Sequence, residues 1–135
     1  MLRSLLAVAA GIVTLTTTAF AVEWTVNPLL MRAFPDALPN EVALAGSSVV
    51  WLVTLLYSLV CVALGGYVAA RLAPRWPVRH AIGLGVAQAG LTAMAAAAMP
   101  ELASWWQWTM NAVLAVPAAV VGGRLYDTRV PPVAP

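Results

Sequence analysis

The sequence predicts an all-α membrane protein whose four transmembrane helices form two hairpins in a small bundle. Of its 135 residues, 62% are hydrophobic and only 9% are charged, and the mean hydropathy is +0.88. Soluble domains carry about 25% charged residues, so this chain has too few polar groups to cover a surface in water. Disorder is excluded as well, because it requires low hydrophobicity and high net charge.

The seven arginines and five acids leave four long stretches without charge, at 5–22, 42–70, 81–100 and 102–123. A helix needs about 20 residues to cross the hydrocarbon core of a bilayer. Backbone groups cannot stay unpaired in lipid, and none of the stretches alternates in polarity as a barrel strand does. We therefore predict helices over about 4–22, 41–71, 80–99 and 103–124 in a single domain, 1–129, followed by a disordered tail, 130–135.

The first stretch has a second interpretation as a cleaved signal peptide. Arg3, the apolar run 5–15 and Ala19-Phe20-Ala21 match the basic, apolar and A-x-A parts of such a leader. Cleavage would leave three helices. Retention agrees better with the distribution of charge along the rest of the chain.

The arginines favour one orientation in the membrane. With a cytoplasmic N-terminus, six of the seven arginines lie inside and only Arg32 lies outside, whereas four of the five acids lie outside. This bias follows the positive-inside rule, with Arg71, Arg75, Arg79 and Arg124 as topology anchors. We expect a multi-pass protein of a bacterial inner membrane with both termini in the cytoplasm. The arginines are too scattered to form a basic patch for nucleic acid.

The segment between the first two predicted helices carries helical signals of its own. Asn27-Pro28 can begin a helix because proline suits the first turn, and Pro35 ends the apolar run that follows. We expect either a short interfacial helix here or an extension of the first helix kinked at Pro28. Asn40 is the expected N-cap of the second long helix.

Small residues recur at the spacing that lets helices approach closely in lipid. In the third predicted helix they occupy every fourth position from Ala81 to Ala97. Glycine pairs near the ends of the second and fourth helices suggest a weak two-hairpin repeat. Packing within the bundle is the expected role, and contact with another chain is the alternative. The predicted helix-packing residues are Gly65, Gly66, Gly85, Ala89, Ala93, Gly122 and Gly123.

Polar candidates for specific contacts are few, and they are Glu23, His80, Gln88 and Asn111. Gln88 and Asn111 are expected to hydrogen-bond between the third and fourth helices. His80 is the single histidine and Cys61 the single cysteine, so neither belongs to a recognisable metal or nucleophile motif. We therefore predict no catalytic residue, no metal ligand and no cofactor.

These features predict a non-enzymatic structural or accessory component that acts through helix packing, either by self-association or within a larger membrane complex. A small carrier or channel is the alternative, with a polar path lined by Ser58, Gln88 and Asn111. A membrane-embedded enzyme would require the acids of the outer side to converge, and these are Glu23, Asp36, Glu41 and Glu101.

Three short motifs stand out along the chain: Gly65-Gly66-Tyr67-Val68-Ala69-Ala70-Arg71-Leu72-Ala73, Arg79-His80-Ala81, and Pro117-Ala118-Ala119 ahead of Gly122-Gly123-Arg124-Leu125. Together they resemble a family of small four-helix inner-membrane proteins of bacteria. The resemblance implies the topology and the fold, and it implies no established activity. Many proteins of this kind have a histidine soon after the acid at the outer end of the first helix. Here Trp24-Thr25-Val26-Asn27 follows Glu23, so no metal or proton role is carried over to Glu23.

Overall fold

The computed structural model describes residues 2–128, apart from the side chains of Glu41, Val42 and Ala45, so Arg129 and the predicted tail lie outside the described residues. This part of the chain is helical and contains no strand. Four of its helices are long. These helices, together with the lack of strands in residues 2–128, confirm the prediction of an all-helical fold. The elements are α1 (Leu2–Ala33), α2 (Glu41–Gly46), α3 (Ser48–Leu72), α4 (Pro77–Ala98), a 3-10 turn (Pro100–Leu102) and α5 (Trp105–Asp127).

Three of the long helices, α1, α3 and α4, are long and apolar enough to cross a membrane. α5 has a similar length, but three tryptophans, Gln107 and Asn111 make its first two turns less apolar. Large apolar side chains cover the outside of the bundle, an arrangement that is unfavourable in water and favourable in lipid. The chain is therefore a helical membrane protein. Exposed apolar residues include Val13, Leu56, Val60, Leu64, Val86 and Val113.

α1 extends well beyond the predicted end of the first helix at residue 22. It continues through Pro28 to Ala33, and the Phe34 N–H still donates to the Leu30 carbonyl at 2.9 Å. Of the two expectations for this segment, the structure has the extension of the first helix. Glu23 consequently lies inside the helix, about 15 Å before its end at a rise of 1.5 Å per residue.

The second predicted helix is divided into α2 and α3. Asn40 is confirmed as an N-cap, because its side chain accepts from the Ala43 N–H at 2.9 Å. α2 ends after one and a half turns at Gly46, and the extended residue Ser47 then caps α3. Serine favours caps over helix interiors because its hydroxyl satisfies a free backbone N–H. A small apolar cluster joins α2 to its neighbours and consists of Leu38, Leu44 and Val50 with Leu30 and Met31.

Aromatic contacts show that α3 and α5 run side by side in the same direction. Near the start of both helices, Trp51 packs edge to face on Trp106, with 4.5 Å between ring centroids. Near the end of both helices, Tyr67 packs on Tyr126 at 5.6 Å. The two helices therefore stay in contact over most of their length.

α1 and α4 run in the opposite direction to α3 and α5. Gly11 of α1 meets Gly65 in the second half of α3, whereas the other end of α1 approaches the start of α3. Ala81 at the start of α4 meets Gly123 near the end of α5. The main contacts are α1 with α3, α3 with α5, and α4 with α5.

Close backbone approach builds the centre of the bundle. A Cβ on Gly66 would collide with the Ala119 backbone, and one on Gly122 would collide with the Ala63 carbonyl. A Cβ on Gly85 would lie 2.7 Å from the Cα of Val116. All five glycines predicted as packing residues lie at helix contacts, because only a residue without a side chain permits this separation. Of the two predicted alanines, Ala89 is half-buried and Ala93 is exposed.

Candidate functional site

A cavity of about 920 Å³ lies at the end of the bundle where α1 ends and α3 and α5 begin. These three helices supply most of its wall. Leu44 of α2 adds to the wall, as do Leu102 and Ala103 between α4 and α5. Its volume is in the range of pockets that bind drug-sized molecules, about 300–1,000 Å³.

Polar side chains from all three helices converge on this cavity. Glu23 and Asn27 come from α1, Thr54 from α3, and Gln107 and Asn111 from α5. The two α1 residues are four positions apart, and so are the two α5 residues. The residues of each pair therefore lie on one face of their own helix. The packing of the helices turns both faces towards the same space.

Glu23 is the one ionisable side chain among the described lining residues. The described lining contains no arginine to neutralise it, and the other polar groups there are amides, a hydroxyl and the indole N–H groups of tryptophans. Its side chain is exposed and can be reached from outside the protein. The cavity therefore has a negative charge beside amide oxygens that can accept hydrogen bonds.

Aromatic rings form a large part of the remaining wall. Phe20, Trp24, Trp51 and Trp108 all line the cavity, and Trp24 is 81% exposed. The edge-to-face contact with Trp106 holds the ring of Trp51 in place. Within residues 2–128, the buried indole N–H of Trp108 has no hydrogen-bond partner. Buried donors are normally paired, so this N–H is an unsatisfied polar group.

The start of α5 holds Gln107 in position. Its Oε1 accepts from the Ser104 N–H at 2.7 Å, which ties the side chain to the N-terminus of the helix. Gln107 is buried although it is polar. The amide is therefore a fixed part of the wall, with its orientation set by the helix that carries it.

Of the three residues predicted to line a polar path, only one is in the described lining of this cavity. Asn111 lines the cavity, but Ser58 and Gln88 do not, and both are half-buried elsewhere. Thr54 and Asn111 are the lining residues furthest along α3 and α5. Beyond them, the helices are in close glycine-mediated contact. The described residues thus form a cavity at one end of the bundle.

The predicted topology anchors lie at the opposite end. Arg71, Arg75, Arg79 and Arg124 are all exposed there, and the Arg79 guanidinium lies 4.7 Å from the centre of the Trp76 ring. His80 Nδ1 lies 3.1 Å from the Trp76 carbonyl oxygen, which ties the histidine to the start of α4. Within residues 2–128, no group of three or more histidine, cysteine or acidic side chains is placed to hold a metal ion.

Glu23 and Asn111 were predicted separately as polar contact residues, whereas Asn27, Thr54 and Gln107 were not predicted to belong to a site. The sequence feature that could have indicated the site is the four-residue spacing between the two polar residues of α1 and between the two polar residues of α5. No family model, no curated protein and no solved structure matches the chain. Its function therefore has to follow from the bundle and its cavity.

Proposed function

We propose that the protein is a non-catalytic component of a bacterial inner membrane that acts by packing against another transmembrane helix. That helix belongs to a second copy of the chain or to a larger complex. The observation that carries this proposal is an outward face of α4 that has small residues along its centre line, flanked by the exposed side chains of Val86 and Met94.

The centre line of this face contains Gly83, Gly90 and Ala97, spaced seven residues apart and all exposed. A Cβ on Gly90 would meet nothing within 4 Å, and one on Gly83 would only touch Val8 at 4.0 Å. Intramolecular packing thus does not account for glycine at position 90. We call this surface the α4 face.

Glycine inside a helix costs roughly 0.5–1 kcal/mol relative to alanine, so its presence needs a compensating contact. In membranes that contact is commonly a second helix, which approaches closely over a small residue and gains van der Waals packing. The α4 face has the composition and the length for this role.

Four crossings arranged as two hairpins are part of the proposal. α5 contacts α3 over most of its length, from the Trp51–Trp106 contact at one end to the Tyr67–Tyr126 contact at the other. This contact supports α5 as a membrane crossing of the same depth as α3. α1 pairs with α3 and α4 pairs with α5. Burial of Gly11 and Leu15 in the bundle supports retention of the first helix.

Replacing Gly90 by leucine is expected to abolish association without unfolding the bundle. The side chain has free space in the single chain but blocks close approach of another helix. Size measurement in mild detergent, with crosslinking and mass spectrometry of native membranes, would detect the loss of a second copy or of a stoichiometric partner. Ala9→Leu, at an exposed site on α1, is the matched control. Unchanged association in Gly90→Leu would refute the proposed role of the α4 face.

A small carrier is the second candidate, and the cavity is the observation that favours it. Polar groups converge there from three helices, as a carrier site requires. The closely packed half of the bundle beyond Thr54 and Asn111 argues for a binding site at one side rather than an open channel. Solute uptake into vesicles containing the purified protein, compared with empty vesicles, tests this candidate.

A further inference from the structure

We propose that the cavity between α1, α3 and α5 is a binding site for an organic cation, meaning a quaternary ammonium, phosphonium or protonated amine with apolar substituents. This inference goes beyond the proposed role in helix packing. It concerns binding and holds whether or not the bound molecule is transported.

The charge of the wall selects a cation. Glu23 is the one ionisable group among the described lining residues, and no arginine lines the cavity. Thr54 lies six residues inside α3, so the site extends about 9 Å below the start of that helix at 1.5 Å per residue. Coulomb attraction between a carboxylate and a ligand of opposite charge favours a cation over an anion at this site.

The aromatic rings favour an organic cation over a metal ion. Phe20, Trp24, Trp51 and Trp108 present faces and edges to the same space as Glu23. The negative face of an aromatic ring attracts a weakly hydrated cation, and tryptophan does so best. Metal ions instead require several oxygen, nitrogen or sulfur ligands at short distance. The structure places no group of three or more such acidic, histidine or cysteine side chains together in residues 2–128.

The size of the site agrees with the same class of ligand. A cavity of about 920 Å³ is far larger than a metal ion and accommodates a molecule with several apolar substituents. Phe20, Met31, Leu44 and Val50 provide apolar surface around the charged group.

Equilibrium dialysis of the full-length protein in an uncharged detergent tests the proposal. The probe is tetraphenylphosphonium, and its control is tetraphenylborate, which has nearly the same shape and the opposite charge. We expect saturable binding of tetraphenylphosphonium, and far weaker binding of tetraphenylborate, at one site per chain.

Three variants locate the binding site. Glu23→Gln is expected to weaken tetraphenylphosphonium binding at least about tenfold, because it removes the only charge in the described lining. Trp24→Leu is expected to weaken it about threefold or more through loss of a ring face. Both residues are exposed, so neither change should alter the thermal unfolding of the bundle. Asp36→Asn removes an exposed carboxylate that is not part of the wall and is expected to leave binding unchanged.

Equal affinity for tetraphenylborate would show that the site selects apolar shape rather than charge, and would overturn the proposal. Absence of tetraphenylphosphonium binding, or undiminished binding in Glu23→Gln, would overturn it as well. A loss in Asp36→Asn as large as that in Glu23→Gln would assign the effect to overall charge. Gly90→Leu is expected to bind like the wild type, so failure of the α4 face and failure of the cation site are separate results.

Discussion

Gly122→Ala is expected to lower the unfolding temperature of the bundle in detergent by about 10 °C, because an overpacked core loses about 3 kcal/mol and each kcal/mol shifts the midpoint by about 4 °C. The added Cβ would occupy the position of the Ala63 carbonyl, and the Tyr67 backbone N lies 2.9 Å away. Both groups belong to the α3 backbone. They cannot rotate away, so α3 and α5 must separate.

Gly90→Ala is the matched control for this prediction. It makes the same chemical change in the interior of a helix, but the new methyl group meets nothing within 4 Å. For the single chain, with no other helix on the α4 face, we expect the unfolding temperature to stay constant or to rise slightly, since alanine stabilises a helix by roughly 0.5–1 kcal/mol over glycine. Thermal melts followed by circular dichroism in one detergent compare the two variants. Equal shifts in both would contradict the contact between α3 and α5.

Reporter fusions on the two sides of α5 are expected to give opposite results. Alkaline phosphatase fused after Glu101, between α4 and α5, should be active if that turn faces away from the cytoplasm, as the proposed orientation requires. The same enzyme fused after Asp127, at the end of α5, should be inactive. α5 ends on the side of the bundle that carries Arg71, Arg75 and Arg79. Arginine-rich loops favour the cytoplasmic side of a membrane, where alkaline phosphatase is inactive.

Each contrary outcome of the fusion experiment has a distinct meaning. The reversed pattern would show that the bundle is inserted with its arginine-rich end outside. Equal activity at both positions would show that α5 does not cross the membrane and would leave three crossings. A fluorescent protein at the same positions is the complementary measurement, because it fluoresces only in the cytoplasm.

Several elements could be predicted from the sequence because their causes are local. The apolar stretches are set by composition, and the Asn40 cap by one side chain and an N–H three residues away. The extent of α1 could not be predicted in the same way. Pro28 is compatible with either a helix start or a helix interior, and contacts of Leu30 and Met31 with the α2 cluster accompany the longer helix.

The candidate site illustrates the same limit more strongly. Glu23 and Asn27 lie 80 or more positions from Gln107 and Asn111 in the sequence, yet both pairs line one cavity. Four-residue spacing indicates that the members of a pair share a helix face. It does not indicate which other helix that face meets. Gln88 has the same chemical character as Gln107 but lies outside the cavity.

The sequence by itself determined that this protein is a helical membrane protein, because hydropathy and charge act residue by residue on the choice between water and lipid. The spacing of small residues pointed to five glycines that lie at helix contacts, but the predicted set did not include Gly11, which also lies at one. Only the tertiary structure decided which polar side chains share a cavity with Glu23 and which glycine of α4 has no neighbour in the described bundle. Those outcomes depend on the directions and rotations of packed helices, which arise from contacts between residues far apart in the chain.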